Sequence, residues 1–184
     1  MTDRESVERH TRDWLSKFVV GLNLCPFARP VVDSPSLRIE VCEAIESPAL
    51  RRAFLSELDL LQTSPESDIA TSLLAFSCAL SPFDDYLDFL GEAQGLLEQA
   101  GLEGVIQLAS FHPHYLFDGE PPDAASHFSN RSPWPMIHFL REDMLSRVLG
   151  DYPDAEAIPA RNIATLEKLG TAEMLRRLLD INHP

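Results

Sequence analysis

Residues Ile69 to Phe76 form an almost unbroken apolar run, flanked on each side by an amphipathic stretch that opens with Ser-Pro: Ser47-Pro48 before it and Ser81-Pro82 after it. A short run without charge, set between turn signals, reads as a β-strand covered on both faces. Such a strand needs helices above and below it, so the chain is constrained to a layered fold of mixed type. In the stretch before it, Leu50, Phe54, Leu58 and Leu61 form a helical stripe; in the stretch after it, Phe83, Leu87, Leu90 and Leu97 do the same. In each case the serine is read as an N-cap and the proline as a first-turn residue, and Gly101 is the stop signal of the second helix.

Two further strands flank this unit. Leu37, Ile39 and Val41 alternate with Arg38, Glu40 and Cys42, the pattern of a peripheral strand with one covered face, and Val105 to Phe111 forms a third strand. Strand, helix, strand, helix, strand with short links predicts βαβ units, with these three strands parallel. Met136 to Leu140 reads as a fourth strand of undetermined direction. Helices are expected near Glu142 to Leu149, Pro159 to Leu169 and Ala172 to Ile181. The expected fold is therefore a single α/β domain over residues 1–184, with α+β as the alternative: a central, mostly parallel sheet of about four strands, helices packed on it, and a helical C-terminus. A first helix is expected over residues 2 to 22, opened by the capping-box pattern Thr2-Asp3-Arg4-Glu5 and carrying Val7, Trp14, Leu15, Phe18, Val19 and Leu22 as its apolar face. It ends before Asn23-Leu24-Cys25-Pro26-Phe27, since the residue preceding a proline disfavours helix.

Composition narrows the function classes. The 184 residues carry a net charge of −14, spread along the chain, which repels polyanions and argues against nucleic acid as a partner. No long apolar span or signal-like N-terminus is present, and the three cysteines, Cys25, Cys42 and Cys78, are too widely spaced for a C-x-x-C site. A reducing, cytoplasmic setting without membrane association is expected.

Unusual polar chemistry concentrates between His112 and His138. Four of the six histidines lie here, His112, His114, His127 and His138, in a stretch that also holds five of the fourteen prolines. The segment 112–135 has no sustained period apart from a short helix near Asp123 to His127, and a loop of this length in a compact domain tends to be functional. Because ligands of parallel sheets bind beyond the carboxyl ends of the strands, His112 is expected at a site. One reading is a metal centre of His112, His114 and His138, giving a metal-dependent, hydrolase-like site. A second is an anion clamp, with Arg131 gripping a carboxylate or phosphate, Asn130 and Ser132 adding hydrogen bonds, and Trp134 forming an apolar wall. A third makes Cys25 a nucleophile, against which stands its position at a helix C-terminus, whose partial negative charge disfavours the thiolate.

Several blocks in this order resemble bacterial domain-of-unknown-function family 1415: Gly21-Leu22-Asn23-Leu24-Cys25-Pro26-Phe27-Ala28, Gly104 to Pro113, Asn130-Arg131-Ser132-Pro133, His138, Leu140-Arg141-Glu142 and Ile158-Pro159-Ala160-Arg161-Asn162-Ile163. The resemblance covers nearly the whole chain and implies a compact bacterial cytosolic protein; it implies no activity or cofactor. The family pattern has Phe-His-Pro-Asp-Tyr where this chain has Phe111-His112-Pro113-His114-Tyr115, and a residue other than histidine at His127, so His114 and His127 are set aside as site residues. The matching positions add Asn23 and Arg161, with Arg161 and Asn162 near a helix start where anions are favoured. The expectation is a small enzyme for an anionic small molecule, with Asn130 and Arg131 holding the anion, His112 and His138 in acid–base roles, Cys25 in reserve as nucleophile, and no assigned metal ligands. The competing expectation is a non-catalytic ligand- or protein-binding module.

Overall fold

The computed structural model describes residues 3–150 and 152–182. Four strands form one sheet: β1 (Leu37–Cys42), β2 (Thr71–Phe76), β3 (Ile106–Phe111) and β4 (Met136–Arg141), in the order β1-β2-β4-β3. β1 and β2 pair in parallel, while β4 pairs antiparallel with both β2 and β3. The expected mostly parallel sheet is thus corrected to a mixed α+β sheet with one parallel pair. The first three strands do run in one direction, as the βαβ pattern predicts, but β3 lies one place further out and β4 fills the gap. Residue character explains the choice. β4 carries apolar residues on both faces, Met136, Ile137, Phe139 and Leu140, and suits the interior, whereas β3 keeps Gln107 exposed and Ser110 half-buried and suits an edge.

Both crossover helices lie on one face. α3 (Ser47–Thr63) and α4 (Phe83–Gln99) pack Leu50, Phe54, Leu58, Tyr86, Phe89 and Leu97 against Leu74, Phe76, Ile137 and Phe139. Neither serine caps as expected. α3 has Glu46 at its N-cap and α4 has Pro82, without a side-chain hydrogen bond at either, so the prolines alone set the entry geometry. Gly101 does follow α4, at φ +70°, in the left-handed conformation a helix stop requires. A buried charge on this face is accounted for: Glu57 of α3 is 3% exposed, receives three hydrogen bonds from Arg38 at 2.9–3.2 Å and one from Ser72 at 2.6 Å.

The opposite face is covered by α1 (Arg4–Trp14), a π-helical continuation (Leu15–Val20), and the helices α6 (Ile158–Leu169) and α7 (Thr171–Asn182). The expected first helix is therefore two pieces. Asp3 caps it, accepting from the Ser6 amide at 2.6 Å, while Thr2 lies outside the described residues. At Gly21 a Cβ would collide with the Lys17 carbonyl oxygen, so only glycine lets the chain leave the wide π turn here. Two short helices complete this side: α2 (Ala28–Val32), absent from the sequence expectation, and α5 (Glu142–Gly150), which follows β4 directly. Neither has a fully buried residue. No helix among the described residues is long and apolar enough to cross a membrane.

Candidate functional site

The loop 112–135 is held by its own histidines. His112 is fully buried; its Nδ1 accepts from the His114 amide at 3.0 Å, so its Nε2 carries the proton and donates to the Leu80 carbonyl at 3.0 Å. That carbonyl belongs to a leucine at φ 61°, a conformation costly for a branched side chain, and the imidazole secures it. Phe83 and Tyr86 of α4 flank the ring, each at a centroid distance of 5.1 Å, and burial lowers its pKa. No ring nitrogen of His112 is left open for proton transfer. His127 staples the loop in the same way, accepting from the Phe117 amide at 3.0 Å and contacting the Pro121 carbonyl at 2.8 Å. Asn130 ties the two ends together: its carbonyl accepts from the His112 amide at 3.1 Å and its side-chain amide donates to the Ser110 carbonyl at 3.0 Å.

His138 stands in a different environment, on the other face of the sheet between Leu73 of β2 and Ala109 of β3. Its Nε2 lies 2.7 Å from the Thr71 hydroxyl, which itself donates to the Phe139 carbonyl at 2.6 Å. A hydroxyl has one proton, so Nε2 must be the donor to Thr71. Nδ1 then carries a lone pair with no hydrogen-bond partner among the described residues. Burial pushes the His138 pKa down to about 4, so the ring is neutral near pH 7.

The His138 ring and Thr71 line an apolar cavity of about 220 Å³ between the sheet and the helices above it. The π-helical segment contributes Leu15 and Val19, α2 contributes Ala28, Val31 and Val32, and α5 contributes Met144, Leu145 and Val148. A second, more polar recess of about 560 Å³ adjoins it, with Asp118, Glu120, Ser126, Ser129, Asn130 and Asn162 in its walls. Both are lined by Val19, Cys25, Ala109 and Phe111, which therefore form the seam between them.

Cys25 is the site residue whose surroundings differ most from the sequence expectation. It lies just ahead of α2, and the amides of Phe27 and Ala28 face its sulfur rather than the carbonyl end of a helix. Those amides favour the thiolate, but desolvation by the apolar walls outweighs them and the pKa is raised, although the residue as a whole reaches solvent. Asn162 holds this turn in place by donating to the Leu24 carbonyl at 2.7 Å.

The structure thus brings Cys25 together with His138 at the first cavity and with Asn130 at the second. The remaining candidates line neither. Arg131 stacks on Phe128 with its guanidinium carbon 4.4 Å from the ring centroid, and donates from Nε to the Tyr115 carbonyl at 3.3 Å. It forms no ion pair among the described residues, and burial lowers its pKa. Ser132 is buried and donates to the Trp134 carbonyl at 2.6 Å; Trp134 stacks on His10 at 6.2 Å, its indole nitrogen buried with no hydrogen-bond partner among the described residues. Asn23, at φ 53°, closes the π-helical segment, and Arg161 lies exposed with its guanidinium over Tyr152. No group of three or more histidine, cysteine or carboxylate side chains that could hold a metal occurs among the described residues, so His112, His114 and His138 do not converge. Thr71 and the apolar stripe of α5 are lining residues that sequence reasoning missed, whereas Asn162 was singled out with Arg161. The α5 stripe, Met144, Leu145 and Val148 at helical spacing, was readable; the Thr71 partnership was not.

The blocks on which the family resemblance rests meet around these cavities: the Cys25 turn, the end of β3, Asn130, His138, and Pro159, Asn162 and Ile163 of α6. No curated protein and no solved structure matches the chain. A family model does match residues 6–176, nearly the whole chain, and the protein therefore belongs to the family described as protein of unknown function DUF1415.

Proposed function

We propose that the protein binds a small molecule with an apolar body and a polar substituent, the body in the cavity beside His138 and the substituent toward the recess beyond Cys25. The observation that carries this reading is the shared seam of Val19, Cys25, Ala109 and Phe111 between one apolar and one polar recess. A cavity of this size, larger than one known to hold benzene, suits an alkyl-substituted ring or a short branched chain. α2 and α5 form its outer wall without burying any residue of their own, which suits a wall that opens. Binding rather than catalysis is favoured, because the raised pKa of Cys25 keeps the thiol protonated at neutral pH and His112 has no free nitrogen. The test is displacement of Nile red from the protein by small apolar molecules. Wild type should bind the dye and Ala109→Leu, which narrows the seam, should bind it several-fold more weakly; equal binding by a folded Ala109→Leu variant would place the dye elsewhere and sink the reading.

Arg131 favours a second reading, the anion clamp expected from the sequence. A half-buried guanidinium with no carboxylate partner has donors to spare, and a bound anion would offset its desolvation. Calorimetric titration with inorganic phosphate and acetate tests it: binding lost in Arg131→Gln supports the clamp, and no binding to wild type removes it.

A further inference from the structure

Apart from the Cys25 thiol at the seam, the chemistry of the apolar cavity is set by one open polar atom. Leu73, Ala109 and Phe111 of the sheet and Met144 and Val148 of α5 offer only carbon or sulfur surface, and the Thr71 hydroxyl has spent its one proton on the Phe139 carbonyl. His138 Nε2 donates to Thr71, so Nδ1 is left as an acceptor in a wall whose other polar side chains are the Cys25 thiol at the seam and the already bonded Thr71 and Arg141. The ring belongs to an interior strand, between Leu73 and Ala109 of the neighbouring strands, and its bond to Thr71 fixes its orientation. An acceptor fixed in an apolar enclosure discriminates strongly among ligands, because a polar group that finds no partner there has lost its solvation for nothing.

We propose that the cavity takes an uncharged, phenol-like molecule: an apolar ring whose single hydroxyl donates to His138 Nδ1. This rests on the small-molecule reading above and specifies its ligand class. A carboxylate is disfavoured, since it would present an anionic acceptor to a neutral acceptor, and the guanidinium of Arg141, the cation in the lining, is already engaged by the Leu61, Ser64 and Ile69 carbonyls. A plain hydrocarbon would fill the space yet leave Nδ1 unpaired. An aliphatic ammonium group would carry its charge into surroundings that offer one neutral nitrogen in return for a full hydration shell.

The test is competition for bound Nile red at pH 7 by 4-propylphenol, propylbenzene and 4-propylbenzoate, which share a shape and differ at one end. Wild type should bind the phenol about tenfold more tightly than propylbenzene, the effect of one net hydrogen bond, and the benzoate most weakly. In His138→Phe the preference of phenol over propylbenzene should vanish while propylbenzene still binds; His138→Gln, which can present an acceptor, should retain part of it and guards against a folding defect in the first variant. Equal binding of phenol and propylbenzene by wild type would overturn the hydroxyl assignment and leave the apolar cavity reading intact. Tightest binding by the benzoate would overturn it in favour of an anion site. Failure of all three to displace the dye would overturn the cavity reading along with it.

Discussion

The two faces of this sheet handle the same problem, polar groups among apolar side chains, in opposite ways. Under α3 and α4 the buried polar groups Glu57, Tyr86 and His112 are matched: Glu57 takes Arg38 and Ser72, Tyr86 donates to the Met136 carbonyl at 2.8 Å and accepts from the Phe111 amide at 3.1 Å, and His112 spends both nitrogens on the backbone. On the other face, Thr71 and His138 form a chain whose last ring lines an apolar cavity, with no hydrogen bond to Nδ1 among the described residues. Buried polar groups in stable cores are almost always satisfied, so the first face reads as scaffold and the second as a place that awaits a partner.

If the α3–α4 face is scaffold, truncating it should cost most. Phe139→Ala removes a fully buried ring that packs on Phe54 at 5.3 Å and should lower stability by about 4 kcal/mol in urea unfolding. Glu57→Ala leaves Arg38 with Glu40 as its remaining carboxylate and strips the buried Ser72 of its acceptor, and should cost about 2 kcal/mol by the same measurement. A loss below about 1 kcal/mol in either variant would mean that this face is as loosely built as the other.

On the open face the expected effects depend on conditions. His138 titrates near its ordinary 6.5 in the unfolded chain and near 4 in the folded protein, so the unfolded state binds more protons between those values. The stability it contributes is complete above pH 6.5 and is lost as pH falls toward 4, by an amount on the order of 2 to 3 kcal/mol. Urea unfolding across that window should therefore show a shallower acid decline in His138→Gln than in wild type; parallel declines would deny that the ring is buried neutral. Smallest of all, Ala109→Leu should change stability by less than about 1 kcal/mol, because the added carbons enter existing space instead of a packed core. A loss of several kcal/mol would show that the cavity is closed.

How much of this was readable in the sequence follows from what is encoded locally. The positions of all four strands came from runs and alternation, and the principal helices from their apolar stripes. The place of β4 did not, because strand order depends on pairing across the chain, and the sequence shows only that Met136 to Leu140 tolerates burial on both faces. The same limit hid the site's central pair, Thr71 and His138, which are far apart in sequence and meet only through the β2–β4 register. His112 and His138 looked equivalent as histidines beside strands; they face opposite helix layers, and that difference decides their roles. At Cys25 the error had a local cause. α2 spans five residues with Pro30 inside its first turn, too short and too irregular to reveal itself by periodicity, so the helix that ends before the cysteine was visible and the one that begins after it was not.

The proposed ligand class requires His138 to be a neutral imidazole with its proton on Nε2 and its Nδ1 lone pair open to the cavity. Nitrogen-15 NMR of the histidine rings tests it directly, recorded from pH 7 down to pH 5 with and without 4-propylphenol. The His138 ring should show one protonated and one bare nitrogen across this range, and the bare nitrogen alone should move when the phenol is added. A ring that protonates near pH 6, or a bare nitrogen indifferent to the phenol, would contradict the account.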